Sequence, residues 1–196
     1  LARSVSTSAG CSTAAGSDPD RTTAMRVPSE EPMGVMMEAF YWDCPTVEGL
    51  AGKWWMTIAA RLPELKRVGF TALWLPPASK AANSSSMGYD PYDYYDLGDL
   101  DQKGGTSTLF GSRQDLIDLV AAAHAPPAIQ LYADLVINHN SGADGQEVNP
   151  IDGRTRWTRF KPASAHFTRD WKDFHPCAFE SWDGYQQFGD MPDLCH

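Results

Sequence analysis

An α/β architecture built on parallel strands is what this sequence predicts, and three observations carry it. Apolar runs of strand length alternate with amphipathic stretches of helix length, in the order strand, helix, strand, helix, strand. The strand runs lack clean apolar–polar alternation, as expected for a parallel sheet covered on both faces. The intervals between them suit βαβ units with right-handed crossovers.

The first strand is read in GVMMEAFYW, residues 34–42. WWMTIAARLPELKRVG (54–69) is a helix, with Ile58, Leu62, Leu65 and Val68 along one side. Pro63 falls inside it and predicts a kink or a late helix start. Gly69 suits its end. TALWLPP (71–77) is the second strand, stopped by Pro76 and Pro77. SRQDLIDLVAAAHA (112–125) is the second helix, capped by Ser112 and burying Leu116, Leu119 and Val120. AIQLYADLVINH (128–139) is the third strand. A long polar and aromatic loop, 78–111, precedes the second helix; loops of that length inside a domain are usually functional. After His139 the pattern dissolves into Gly, Asp, Pro, Trp and Phe, which reads as a loop-rich insertion.

Residues 1–32 are rich in Ser, Thr, Ala and Arg and show no apolar period. They read as a disordered leader or linker. A worn targeting segment, or a translation start at Met25 or Met33, stays open. No apolar core of about 7–15 residues marks a signal peptide there. The chain opens on Leu1 and closes on His196, and is expected to be a piece at both ends.

With 196 residues, 42% of them hydrophobic, the chain can build a packed core. No apolar run approaches the roughly 20 residues of a membrane helix. A formal net charge of −9 argues against nucleic acid as a partner. Cys11, Cys44, Cys177 and Cys195 include no CxxC pair and form no disulfide framework, so the redox compartment stays open.

Ligands of parallel α/β sheets and barrels bind at the C-terminal ends of strands. Asn138 and His139 fall there, and so does the loop MGYDPYDYYDLGDLDQKG (87–104). That loop alternates Tyr89, Asp90, Tyr92, Asp93 and Tyr95: aromatic faces stack on sugar rings, and carboxylates bind hydroxyls. Taken singly, each residue has a plain structural account. Asp134 would be a buried acid satisfied by hydrogen bonds, His139 a structural histidine, Asn138 a strand cap, and 87–104 a solvated loop.

Together they resemble a family. DLVINH (134–139) resembles the first signature of the α-amylase family of glycoside hydrolases, at the end of the third strand of its (β/α)8 TIM barrel. GYDPYDYYDLG (88–98) resembles the family's loop after strand two, and MPDLCH (191–196) its short signature in the insertion after strand three. MEAFYWD (37–43) and LWLPP (73–77) resemble its first two strands. The resemblance covers 34–196. It implies the N-terminal part of the barrel only: about three βα units over 33–139, then the start of a calcium-binding insertion, domain B, over 140–196.

Carried onto these residues, the resemblance implies that Asp134 braces the barrel end. Tyr89 would stack on the sugar at the cleavage point, and His139 would donate a hydrogen bond to it. Asn138, Asp183 and Asp193 would ligate a structural calcium, helped by a backbone carbonyl near 184–186. An all-oxygen set suits that ion. Some relatives hold zinc in this insertion through His and Cys. His175 and Cys195 stand in comparable positions, with Cys177 near, but the second histidine is missing. Zinc is therefore not expected, and these residues read as buried thiols and a surface histidine.

The family cleaves with retention, using an Asp nucleophile and a Glu acid/base. Neither motif occurs in these residues. The full-length protein is expected to be an endo-acting α-amylase on the α-1,4 bonds of starch or glycogen. It is expected to be a monomer, secreted or periplasmic, with the cytoplasm still open. The piece alone is expected to be inactive and poorly folded. Two other readings stand beside this one: a non-catalytic, calcium-stabilised glucan-binding truncation, and an unrelated α/β barrel enzyme matched by chance.

Overall fold

The computed structural model describes residues 34–177 and 191–195. The leader read over 1–32 and the calcium ligand read at Asp183 lie outside the described residues. In chain order the elements are β1 (Met36–Glu38), α1 (Cys44–Val47), α2 (Trp54–Val68), β2 (Ala72–Leu75), β3 (Lys80–Ala81), β4 (Pro91–Asp93), α3 (Arg113–His124), β5 (Gln130–Ala133), β6 (Gly145–Val148) and β7 (Thr155–Arg159). A 3-10 turn follows at Trp171–Asp173.

The expected parallel sheet is present, in the order β1-β2-β5. The row Met37–Leu73–Leu131 packs into a core with Ile58 and Leu62 of α2 and Leu119 and Ala123 of α3. The opposite row, Glu38–Trp74–Tyr132, faces outward, and Tyr132 is 51% exposed. The expected cover on both faces is thus corrected: among the described residues, helices cover one face.

All three strands are shorter than the apolar runs that announced them. The reason is clearest for the third. Its ladder with β2 ends at Leu75↔Ala133, where Pro76 and Pro77 follow on β2 without an N–H to donate. Residues 134–139 run on past that point outside any strand, and Leu135 is 75% exposed.

The first long helix differs in its start. α2 begins at Trp54 and runs through Pro63, which lies on the exposed side. There the carbonyl that proline leaves unpaired, on Ala59, can be hydrated. Val68 is exposed, while Trp54 and Trp55 are buried. Gly69 ends the helix in the left-handed region, φ 98°, where a side chain would be strained. α3 starts as expected: Ser112 accepts from the Asp115 N–H, and Asp115 returns the bond in a capping box. Its buried face centres on Leu119 and Ala123, with Leu116 and Val120 half-buried.

The stretch 78–111 is more built than a loop. β3 and β4 pair antiparallel within it. Lys80, 1% exposed, is its anchor. Its ammonium donates to the carbonyls of Leu100 (3.1 Å), Gly105 (2.9 Å) and Thr106, and pairs with Asp96 at 3.4 Å. A buried cation is tolerable only with such complete satisfaction. The insertion also holds an antiparallel hairpin, β6–β7, that the sequence did not announce. Behind it lies a second small core of Tyr92, Phe160, Phe174 and Leu194.

Candidate functional site

The site is built where chain leaving the sheet meets the loop after β2. Gly88 makes the junction, with φ 90°. A Cβ there would lie 2.8 Å from the Cβ and the carbonyl oxygen of Pro77, so only glycine lets the loop approach the strand end. That approach delivers Tyr89. Its hydroxyl donates to Asp134 Oδ2 at 2.7 Å. His139 Nε2 lies 2.8 Å from the Tyr89 carbonyl oxygen, which can only accept, so this nitrogen carries the proton. Tyr94 donates to the His139 carbonyl at 3.0 Å. Asn140 and Ser141 both donate to Pro91 O at 2.8 Å. Tyr89, Asp134 and His139, picked out separately in the sequence, are therefore one hydrogen-bonded unit.

The segment 191–195 returns to the same place. Asp193 pairs with His139 across an isolated bridge, and the Leu194 N–H donates to the Asn138 carbonyl at 3.0 Å. The His175 N–H donates to Asp193 O (2.9 Å), and the Cys195 N–H to Asp173 O (2.8 Å). Asn138 and Asp193 are thus neighbours in space although 55 positions apart in number (193 − 138). An amide oxygen and a carboxylate are hard donors of the kind calcium takes, and the buried, backbone-fixed placement of Asp193 fits such a role. Two residues are not a full shell of about six to eight oxygens.

Beside this segment the structure corrects two expectations. Cys177 and Cys195 are not separate buried thiols but a disulfide. His175 is buried, not on the surface. With both cysteines the histidine forms a group whose ligand atoms lie within 4.8 Å of one another. A zinc site would use those sulfurs as thiolates, whereas here they bond each other.

Burial, reinforced by the hydrogen bond to Asp134, pushes the Tyr89 phenol above its usual value. It stays a neutral donor. Burial also raises the Asp90 carboxyl, against the opposing pull of the Ser86 hydroxyl and of His139. Asp90 and Tyr89 line an open cleft of about 390 Å³ with Trp42, Asn83, Ser85 and Met191. A larger cavity, about 570 Å³, lies between β1 and α2 and is mainly apolar, lined by residues such as Met37, Ile58 and Phe70. None of the candidate residues borders it. Tyr89 is the candidate residue that lines the smaller cleft. Trp42 is the participant that sequence reasoning passed over, because it was absorbed into the first strand.

Parallel strands joined through helices, with a polar cluster at the strand C-termini, define the first part of an α/β barrel. A solved structure shares this fold: an alternansucrase in complex with isomaltotriose, 21% identical, covering 65% of this chain and 13% of that one with a TM-score of 0.51. The family model "Alpha amylase, catalytic domain" matches residues 18–177. The chain belongs to the α-amylase family. It is 39% identical over 142 residues to an alpha-amylase of Geobacillus stearothermophilus, a match that takes in 65% of this chain. It is 35% identical over 160 residues, 72% of this chain, to a glucan 1,4-alpha-maltohexaosidase of Bacillus sp. (strain 707). The match spans 25% of the first relative's length and 30% of the second's.

Proposed function

We propose that this chain is part of an α-amylase, a retaining endo-hydrolase of α-1,4-glucosidic bonds in starch or glycogen. The observation that supports this best is the Tyr89–Asp134–His139 unit at the end of the third parallel strand. In that reading Asp134 braces, by holding the Tyr89 hydroxyl. Tyr89 supplies an aromatic face to the sugar at the cleavage point, and the hydrogen bond that the resemblance assigns from His139 to that sugar would replace the one its Nε2–H makes here to the Tyr89 carbonyl. No nucleophile or acid/base motif of that mechanism is found in these 196 residues, so the chain alone is proposed to be inactive.

Asn138 and Asp193, with Asp183, are the proposed calcium ligands. The ion would clamp the insertion to the barrel beside the cleft and take no part in bond cleavage. The Cys177–Cys195 disulfide supports an oxidising compartment, hence secretion or the periplasm. The full-length enzyme is proposed to act as a monomer.

The test is starch hydrolysis by the full open reading frame that contains this sequence. Reducing ends should appear with the α-anomer formed first, and chelation of calcium should lower the melting temperature. Release of the β-anomer, or cleavage of α-1,6 bonds alone, would contradict the assignment. The non-catalytic, calcium-stabilised glucan-binding truncation is the second reading; a full reading frame that binds maltoheptaose but releases no reducing ends would select it.

A further inference from the structure

We propose that Trp42 is a glucosyl-stacking residue of this site, presenting the open aromatic face of which Tyr89 is the backing. The proposal rests on the glucan reading above and adds the surface on which the chain lies. Trp42 is 65% exposed, yet its ring is not loose. It stacks on Tyr89, with centroids 5.9 Å apart and planes at 23°. One face of the indole is thus partly covered by a ring that Asp134 holds in place, and the other looks into solvent at the cleft.

The turn that carries Trp42 is anchored on both sides. Before it, Tyr41 donates to Glu48 at 2.6 Å and sits edge-on against Trp54. After it, Asp43 adopts φ 61°, a left-handed conformation unusual for a residue with a side chain. The next two residues, Cys44 and Pro45, are buried in the first turn of α1. Strained backbone of this kind persists where the surroundings over-determine it, and it clusters at ligand sites.

A solvent-facing indole is a costly surface for folding alone. It is a useful one for a sugar, whose axial C–H groups make an apolar face. The contact with Tyr89 restricts the ring, so less side-chain entropy is lost on binding than at an unpacked indole. The polar edge is at hand: the Asp43 carboxylate and the Asn83 amide line the same cleft and can meet the equatorial hydroxyls. Tyr89 is half-buried and partly covered by Trp42, so the outermost stacking face belongs to Trp42.

The experiment is calorimetric titration of the full polypeptide and its Trp42→Ala and Trp42→Phe variants with a hydrolysis-resistant, thio-linked maltoheptaose, alongside their melting temperatures. Trp42→Ala is expected to weaken maltoheptaose about tenfold. Trp42→Phe should stay within about threefold of wild type, since a ring remains. Melting temperatures should hardly move, because the side chain is exposed. Tyr89→Ala combined with Trp42→Ala should cost less than the sum of the two, because one ring backs the other. Wild-type affinity in Trp42→Ala overturns the proposal while leaving the glucan reading intact. Failure of wild type to bind maltoheptaose overturns the glucan reading itself, and the proposal with it.

Discussion

The parallel sheet and the polypeptide that grows from its strand ends treat apolar surface in opposite ways. The sheet packs one face on α2 and α3, with Leu73 sealed and Met37 and Leu131 partly buried, and leaves Trp74 and Tyr132 open on the other. The loop and insertion, though poorer in regular structure, close around their own aromatic residues. Phe160 and Phe174 are fully buried there, and the polar groups are tied together. Tyr92 donates to Asp144 at 2.7 Å, while Lys103 bonds the same carboxylate at 2.8 Å and lies 3.8 Å from the Tyr92 ring centroid. Regular secondary structure is therefore no guide to which part is self-sufficient. Among the described residues, the sheet leaves one face open, and the irregular part closes on its own aromatic core beside the candidate site.

That contrast can be broken most forcibly at Lys80. Lys80→Ala leaves Asp96 buried without its cation, and should cost about 3–5 kcal/mol in a urea unfolding curve. Acid should work on the same network. Burial alone would raise the Asp96 carboxyl, but Gln102, the backbone N–H groups of Gly98 and Asp99, and Lys80 together bring it below its usual value. Asp144 is lowered in the same way, by Lys103, Tyr92 and the Lys161 N–H acting against burial. Groups depressed in the folded state stabilise it fully above the ordinary carboxylate value of about 3.9, and that contribution is lost as pH falls through their folded values. The melting temperature should therefore drop below about pH 4; a flat profile from pH 6 to 3 would contradict the network.

Next in size is the disulfide, which closes a span of 18 residues. Cys177→Ser should cost about 3 kcal/mol by chain entropy, read from the same unfolding curve against wild type. Ser112→Ala removes a capping box at the start of α3 and should cost about 1 kcal/mol. Smallest of all should be Tyr132→Thr on the open sheet face. In this chain it should change stability by less than about 0.5 kcal/mol while lowering binding of a hydrophobic dye. A large loss there would mean that the face is not open.

The parts of this architecture legible in sequence are those where one residue type has one physical meaning. Ser112 and Gly69 marked helix ends because capping and left-handed backbone demand such residues. Pro76 and Pro77 marked the end of β2, although their second effect, truncating the third strand through its ladder, needed the pairing to be known. Tyr89, Asp134 and His139 were readable as a group only through family resemblance; nothing in their spacing says that they share hydrogen bonds. The illegible parts depend on long-range closure. A lysine normally reads as surface, and only the ring of carbonyls around Lys80 makes burial tolerable. Cysteine positions do not encode pairing, so Cys177–Cys195 appeared only in three dimensions. Of the two outcomes that Pro63 allows, the late helix start does not occur, because α2 already runs from Trp54.

Hydrogen exchange of the backbone amides, with and without maltoheptaose, most directly tests the claim that the strand-end cluster is a glucan site. Slower exchange is expected at 87–94, 134–140 and 191–195, with the β6–β7 hairpin, 145–159, unchanged. Protection confined to the hairpin, or no change around Tyr89 and His139 at saturating sugar, would contradict it.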